Sequence, residues 1–246
     1  MKSAIEIISF GPKALLLNWP QHISEEINTE ISACNLQINK YFKDLLIESV
    51  CTYCSLTLYL KQPHTSELIA KIQSLLSKRQ QYNTQQKPST WTIPVCYDLS
   101  FGIDLQRVAD THELTIDDVI NLHAKPLYHV YFLGFLPGFP YLGGLDERLI
   151  TPRLASPRWQ IPKGSVAIGN QQTGVYPSNS PGGWNIIGRT PVNLFDSQNP
   201  KPSFLNAGDK IQFYSVNLKD YETLSESFAN KLLTHENLKG GKLTHD

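Results

Sequence analysis

The sequence lacks the features that direct a protein to a membrane or to nucleic acid. Its 246 residues include 22 basic and 22 acidic ones, so the formal net charge is zero and no strong field attracts an anionic partner. Its longest apolar runs are well short of the roughly 20 residues that a membrane helix needs. No small-residue cleavage site follows the N-terminal apolar run. We therefore expect a cytoplasmic protein that binds neither membrane nor nucleic acid.

The common catalytic signatures are also missing. The sequence has no G-x-x-x-x-G-K-[ST] phosphate loop, no H-E-x-x-H zinc motif and no G-x-S-x-G nucleophile elbow. Cys51 and Cys54 spell C-x-x-C, but the surrounding "ESVCTYCSLTLYL" alternates with a period of two, which predicts one continuous strand. An offset of three then places the two thiols on opposite faces of the sheet. We expect neither a disulfide nor a metal ligand set.

The first third of the chain predicts a small α+β domain, an α/β sandwich. Two apolar runs flank Gly11 and Pro12, which indicates two strands joined by a turn. A helix with apolar residues three and four apart follows from about Ser24, then the strand around Cys51, then a helix from Ser66. The predicted order over residues 1–85 is β-β-α-β-α, and the polar segment 78–90 marks the boundary.

The rest of the chain predicts a β-barrel domain over residues 86–225, with a C-terminal tail at 226–246. Strand-like "TIPVCYD" and "YHVYFLGF" flank two short helices in "DLQRVADTHELTIDDVINLH". Between residues 134 and 191 lie ten of the fifteen glycines and eight of the sixteen prolines, a density that nearly excludes helices. Short strands joined by tight turns are the remaining arrangement.

The candidate functional residues cluster in and just before this Gly- and Pro-rich region. Guanidinium groups on rigid backbone suit carboxylate or phosphate, because their donors match two acceptor oxygens, and glycines expose backbone N–H groups to an anion. The catalytic candidates are His129, Gln172 and Tyr176, and the substrate- or anion-binding candidates are Arg153, Arg158, Arg189, Gly182 and Gly183. The residues leave a second interpretation open, in which the arginines only bridge loops of the barrel and His129 is a core residue.

A long, ordered set of motifs carries a resemblance. The runs "GFLPGFPYLGGL", "SPRWQIPKGSVAIG", "QTGVYP" and "SPGGWNIIGRTP" strongly resemble the family called allophanate hydrolase subunit 1, or KipI. The resemblance extends over essentially the whole chain. It implies a small N-terminal α+β domain followed by a cyclophilin-like β-barrel.

The resemblance also implies an activity. Members of this family are understood to act with an allophanate hydrolase subunit 2-type protein (PxpC) and a LamB/YcsF-type protein (PxpA). Together these open the lactam of 5-oxo-L-proline to L-glutamate, with ATP as a co-substrate that is hydrolysed to ADP and phosphate. The implied role is that of one component of a cyclic amide hydrolase, inactive without its partners.

Three other functions compete with this one. A relative in spore formers inhibits a sensor histidine kinase, which is a binding function without turnover. The matching segment of urea carboxylase serves carboxyl transfer from biotin, and this sequence has no A-M-K-M segment because its only methionine is Met1. Prolyl isomerase activity is suggested by fold analogy alone, which does not carry function.

Overall fold

The computed structural model describes residues 4–77, 88–239, 241 and 243. The chain divides into two compact units, Met1–Lys87 and Pro88–Asp246. The predicted boundary after residue 85 and most of the polar segment 78–90 lie outside the described residues. Within the described ranges, no helix is both long and apolar enough to cross a membrane.

The N-terminal unit is a four-stranded antiparallel sheet with two helices. Its strands are β1 (Glu6–Ser9), β2 (Ala14–Asn18), β3 (Leu46–Cys51) and β4 (Ser55–Leu60), in the sheet order β1-β2-β4-β3, and its helices are α1 (Glu25–Phe42) and α2 (Ser66–Ser77). Ser24 caps α1 by accepting from the Ile27 N–H at 3.2 Å. Apolar residues of both helices pack with Leu15, Leu17 and Leu58 of the sheet into one core.

The C-x-x-C segment forms a hairpin, so the predicted single strand and the order β-β-α-β-α are wrong. The order is β-β-α-β-β-α, because the chain reverses between Cys51 and Ser55. The Thr52 N–H donates to the Ser55 carbonyl at 2.8 Å, and the two hydroxyl groups are 2.7 Å apart. Both cysteines are free thiols, and burial raises the pKa of Cys51 to about 11.

The second unit contains a closed barrel of seven strands, which confirms the predicted α+β class with a C-terminal barrel. In chain order its strands and helices are β5 (Thr90–Cys96), α3 (Leu105–Thr111), α4 (Ile116–Ala124), β6 (Leu127–Leu133), β7 (Pro140–Gly143), β8 (Arg158–Ile161), β9 (Ser165–Gly169), β10 (Gln172–Val175), β11 (Ser180–Gly182), β12 (Asn185–Arg189), β13 (Lys210–Val216) and α5 (Leu218–Ala229). The barrel order is β10-β7-β6-β13-β5-β12-β9, and β8 pairs with β11 in a separate two-stranded ribbon. Only β5 and β13 pair in parallel among these strands.

A chain of buried hydrogen bonds crosses the barrel core. His123, on α4, is fully buried, with Nδ1 2.8 Å from the Tyr97 hydroxyl and Nε2 2.8 Å from the Thr173 hydroxyl. Thr173 donates its only hydroxyl proton to the Ala167 carbonyl at 3.0 Å, so it must accept from His123. The proton of neutral His123 is therefore on Nε2, and Tyr97 donates to Nδ1.

This buried histidine predicts a pH-dependent stability. Burial lowers the pKa of His123 from 6.5 to about 3. Between these values the unfolded chain binds a proton that the folded barrel does not, so the stabilisation is complete above pH 6.5 and is lost as the pH falls. We expect the free energy of unfolding to fall by about 1.6 kcal/mol between pH 6.5 and pH 5. Urea unfolding of the wild type and of His123→Gln at both values tests this, and an equal loss in both would contradict it.

The segment predicted as a C-terminal tail packs on the barrel. Residues 226–229 belong to α5, and a 3₁₀ turn covers His235–Leu238, where Leu238 is fully buried. The His235 ring stacks on Phe204 with centroids 4.1 Å apart and its Nε2 bonds the Asn193 carbonyl at 2.8 Å. The barrel core therefore includes side chains from the last residues that the structure describes.

Candidate functional site

An aromatic cluster lies on the outer face of the barrel wall formed by β7, β9, β10 and β12. Val166 and Ile168 point into the core, so the strand alternation turns Ala167 outward. There it packs in a second apolar cluster with Phe139, Ile161, Tyr176, Trp184 and Ile186. The ring centroid of Phe139 is 5.2 Å from that of Tyr176 and 5.5 Å from that of Trp184. We call this group the outer aromatic cluster.

The Gly- and Pro-rich loop after β6 delivers Phe139 to this cluster. The loop is closed by the Gly134 N–H donating to the Phe139 carbonyl at 3.0 Å, and Gly138 has a φ of +80°. A Cβ on Gly174 would lie 2.9 Å from the Phe139 ring, so the lack of a side chain at this glycine lets the ring approach β10 closely. Gly134 and Gly138 thus shape the loop that carries Phe139 into the cluster.

Tyr176 is held in the cluster as a neutral phenol. It is almost fully buried, and burial raises its pKa to about 12. Its hydroxyl oxygen accepts a hydrogen bond from the backbone N–H of Trp184. A Cβ on Gly182 would collide with that hydroxyl and lie 2.7 Å from Ile161 Cδ1. Gly182 is thus explained by close packing against Tyr176.

The adjacent glycines give a matched test of this packing. A methyl group at Gly182 meets two tightly packed side chains, so Gly182→Ala is expected to cost about 1–2 kcal/mol of stability through overpacking. Gly183→Ala is the control, because its Cβ would meet no atom closer than 3.6 Å. Urea unfolding of both variants checks the difference, and equal stabilities would contradict it.

Arg153 is the predicted arginine that lies beside this cluster. It is exposed, and its guanidinium carbon is 5.7 Å from the centroid of the Trp184 ring. Within the described part of the chain, no carboxylate or carbonyl bonds this guanidinium, so its donors face solvent. An arginine stacked on an indole and otherwise unpaired presents its two-pronged donor edge to an incoming carboxylate.

The other two arginines have protein partners. Arg158 forms two bonds with the buried carboxylate of Asp104, at 2.7 and 2.9 Å. Arg189 lies over the Phe101 ring at 4.6 Å and hydrogen bonds Tyr221. Both arginines therefore bridge elements of the barrel unit, which is the structural alternative to anion binding.

The remaining candidates occupy different surroundings. His129 is buried on β6 opposite Gly143, and its ring meets Tyr131 edge-on with centroids 4.7 Å apart. Gln172 is half-buried at the start of β10, opposite Gly169. A Cβ on Gly169 would lie 2.7 Å from the Trp184 ring, so Gln172 borders the outer aromatic cluster. The structure thus gathers Arg153, Gln172, Tyr176 and Gly182 around Trp184, and places Arg189 among other partners.

Sequence reasoning missed two kinds of residue at this site. Trp184 and Phe139 could have been found from the sequence, because each follows a glycine. An aromatic residue next to a glycine indicates a place where a ring can pack on the backbone. Asp104 and Asn185 gave no such signal, because their partners are 54 and 33 residues away. Among the described residues, no group of histidine, cysteine, aspartate or glutamate side chains could hold a metal ion.

Comparison with known proteins identifies the family. A family model described as "Carboxyltransferase domain, subdomain C and D" matches residues 5–205. The chain belongs to this family. Its KipI or allophanate hydrolase subunit 1 type is the one that the motifs indicate. The chain is 36% identical over 234 residues to the B subunit of 5-oxoprolinase from Bacillus subtilis (strain 168), covering 90% of this chain and 97% of the relative.

Two further relatives extend the comparison. The B subunit of 5-oxoprolinase from Haemophilus influenzae is 52% identical over 121 residues, which cover 49% of this chain and 57% of the relative. The solved structure of TTHA0988 superposes with a TM-score of 0.73 at 34% identity, covering 83% of this chain. The chain spans 40% of the length of that solved protein. The family's fold therefore also occurs within a longer polypeptide.

Proposed function

We propose that the chain is the B subunit of an ATP-dependent 5-oxoprolinase, which opens 5-oxo-L-proline to L-glutamate. The observation that carries this proposal is the match to the Bacillus subtilis relative along 97% of that protein. A match of that extent includes both units of the chain and not only a shared barrel. The site geometry supports the same conclusion.

The outer aromatic cluster and Arg153 suit a small cyclic carboxylate. In our proposal the Arg153 guanidinium binds the carboxylate of 5-oxoproline, and the apolar ring of the substrate lies beside Trp184, the least buried residue of the cluster. Tyr176 acts through the backbone of Trp184, to which it is hydrogen bonded. Gln172 is the amide that we assign to orienting the lactam, and we assign no substrate contact to His129.

The chemistry of a lactam accounts for ATP as a co-substrate. A lactam carbonyl is a poor electrophile, and phosphorylation of its oxygen would turn that oxygen into a good leaving group. We infer that the chain performs this reaction only together with a PxpC-type and a PxpA-type protein. Two of its relatives are each named as a single subunit of such an enzyme, which implies further subunits.

Reconstitution tests the proposal. The chain is co-expressed with candidate PxpC- and PxpA-type proteins, and the purified mixture is assayed for glutamate and ADP formed from 5-oxoproline and ATP. We expect both products in equal amounts, and neither when any one protein is omitted. Absence of glutamate from a complex that assembles would refute the proposal. Lowered autophosphorylation of a sensor histidine kinase in the presence of this chain would then favour the inhibitor function.

A further inference from the structure

The segment that carries Arg153 contacts the residues just before and at the start of β12, one residue after another. The Leu154 N–H donates to the Gly183 carbonyl at 2.7 Å, and Arg153 lies over the ring of Trp184. The next contact in the same direction joins the two residues that flank this pair, 152 and 185. Three consecutive residues, 183–185, thus hold three consecutive residues, 154–152, in antiparallel order. The backbone on both sides of Arg153 is fixed.

Asn185 supplies the third of these contacts. Its side chain is fully buried, and its Nδ2 donates to the Pro152 carbonyl at 2.9 Å and to the Ile168 carbonyl at 3.1 Å. Its Oδ1 accepts from Arg107 Nη1. Each polar atom of the amide therefore has a partner. Its nitrogen donates to two carbonyls, and its oxygen accepts from a guanidinium.

These partners fix the orientation of the amide. Arg107 can only donate and the two carbonyls can only accept, so a flipped amide would face donor to donor and acceptor to acceptors. Asn185 is therefore held in one orientation by the two carbonyls together with Arg107, which reaches it from α3. Removing the arginine leaves a buried amide oxygen without its donor, and only the two carbonyls then hold the amide in place.

We propose that Asn185, oriented by Arg107, is a positioning residue that holds Arg153 over Trp184 for substrate binding. The inference rests on the proposed function for its kinetic consequence, and on the structure alone for its geometric one. Displacing the Pro152 carbonyl shifts the next residue, and a shift of about 1 Å in a charged ligand-binding group is enough to weaken its hydrogen bonds.

Two variants separate positioning from folding. Asn185→Asp keeps an acceptor for Arg107 but turns an acceptor toward the carbonyls of Pro152 and Ile168. Arg107→Ala removes the donor to the amide oxygen, and because Arg107 is exposed this variant is expected to fold. Arg107→Lys restores a donor. The matched control is Asn39→Asp in the N-terminal unit, where a half-buried amide also donates to a carbonyl, that of Asn35, at 2.9 Å.

The kinetic readout is the split between KM and kcat in the reconstituted complex. We expect Asn185→Asp and Arg107→Ala to raise KM for 5-oxoproline about tenfold, with kcat within about twofold of wild type, because a misplaced Arg153 weakens carboxylate binding. Arg107→Lys should recover most of the affinity. A residue that only stabilises the fold would lower the amount of active complex and leave KM unchanged, and that result overturns the inference.

A second readout does not depend on activity. With 5-fluorotryptophan incorporated, the ¹⁹F resonance of Trp184, assigned with Trp184→Phe, reports the guanidinium above the ring. Arg153→Ala is expected to shift this resonance, and Asn185→Asp and Arg107→Ala to shift it in the same direction. If both positioning variants leave it at the wild-type position, the inference is refuted. If the wild-type complex lacks 5-oxoprolinase activity, the proposed function fails and this resonance still decides the positioning.

Discussion

Replacing Arg153 by alanine is expected to lower kcat/KM for 5-oxoproline about 100-fold in the reconstituted complex. Hydrogen bonds to a charged group contribute roughly 1.5–3 kcal/mol each, and about 2.7 kcal/mol corresponds to a factor of 100. The loss should fall mainly on KM, because the carboxylate is bound equally in the ground state and in the transition state. Steady-state kinetics with varied 5-oxoproline at saturating ATP measures both constants.

Two companion variants make this result specific. Arg153→Lys keeps the charge but not the two-pronged donor edge, so we expect a loss nearer tenfold. Arg148→Ala is the matched control, because Arg148 is also exposed but its guanidinium hydrogen bonds the carboxylate of its near neighbour Asp146, at 2.8 and 2.9 Å. Wild-type kinetics in Arg153→Ala would remove this residue from the substrate site.

Arg158→Ala is expected to act on stability, with a loss of about 2–3 kcal/mol. Removing one partner of a buried ion pair costs roughly 3–5 kcal/mol, and an exposed pair contributes about 1 kcal/mol or less. This pair lies between those cases, since the Asp104 side chain is 6% exposed and the Arg158 side chain 30%. Asp104 also accepts from the Ile186 N–H at 2.7 Å. In Arg158→Ala this hydrogen bond would remain, but it would offset only part of the cost of burying the carboxylate charge.

The double variant identifies the cause. Asp104→Asn combined with Arg158→Ala removes the buried charge together with its partner, and should recover part of the lost free energy of unfolding. Urea unfolding of the two single variants and the double variant gives the coupling directly. Additive losses would show that the two side chains do not depend on each other. Loss of activity in Arg158→Ala without any loss of stability would return Arg158 to the substrate site.

The N-terminal unit shows where sequence periodicity succeeds and where it fails. Helix α1 was predictable because its apolar residues recur on one stripe and Ser24 caps its start. The hairpin at Cys51 was not predictable, since its turn contains no glycine, proline or asparagine. The period-two alternation of polar and apolar residues also continues through Thr52 and Ser55. Those two residues close the turn with their own hydrogen bonds, a contact that the period of a strand does not reveal.

The barrel unit shows a different limit. Its Gly- and Pro-rich composition predicted short strands and turns, and the glycines at 174 and 182 prove to be places where an aromatic side chain covers the backbone. Composition alone could not distinguish the three arginines, because each lies beside a proline or a glycine. Their roles depend on partners far along the chain, Asp104 for Arg158 and Tyr221 for Arg189, and only the folded structure brings these together.

The parallel pairing of β5 with β13 has a consequence for the order of folding. Strand β13 lies between β5 and β6 in the barrel, so both edges stay open until residues 210–216 have been synthesised. Contacts of such large sequence separation form late and slowly. A nascent chain that stops before β13 would present two unpaired strand edges at once, which are templates for aggregation. The barrel therefore cannot close before β13, the last of its strands in chain order, has been synthesised.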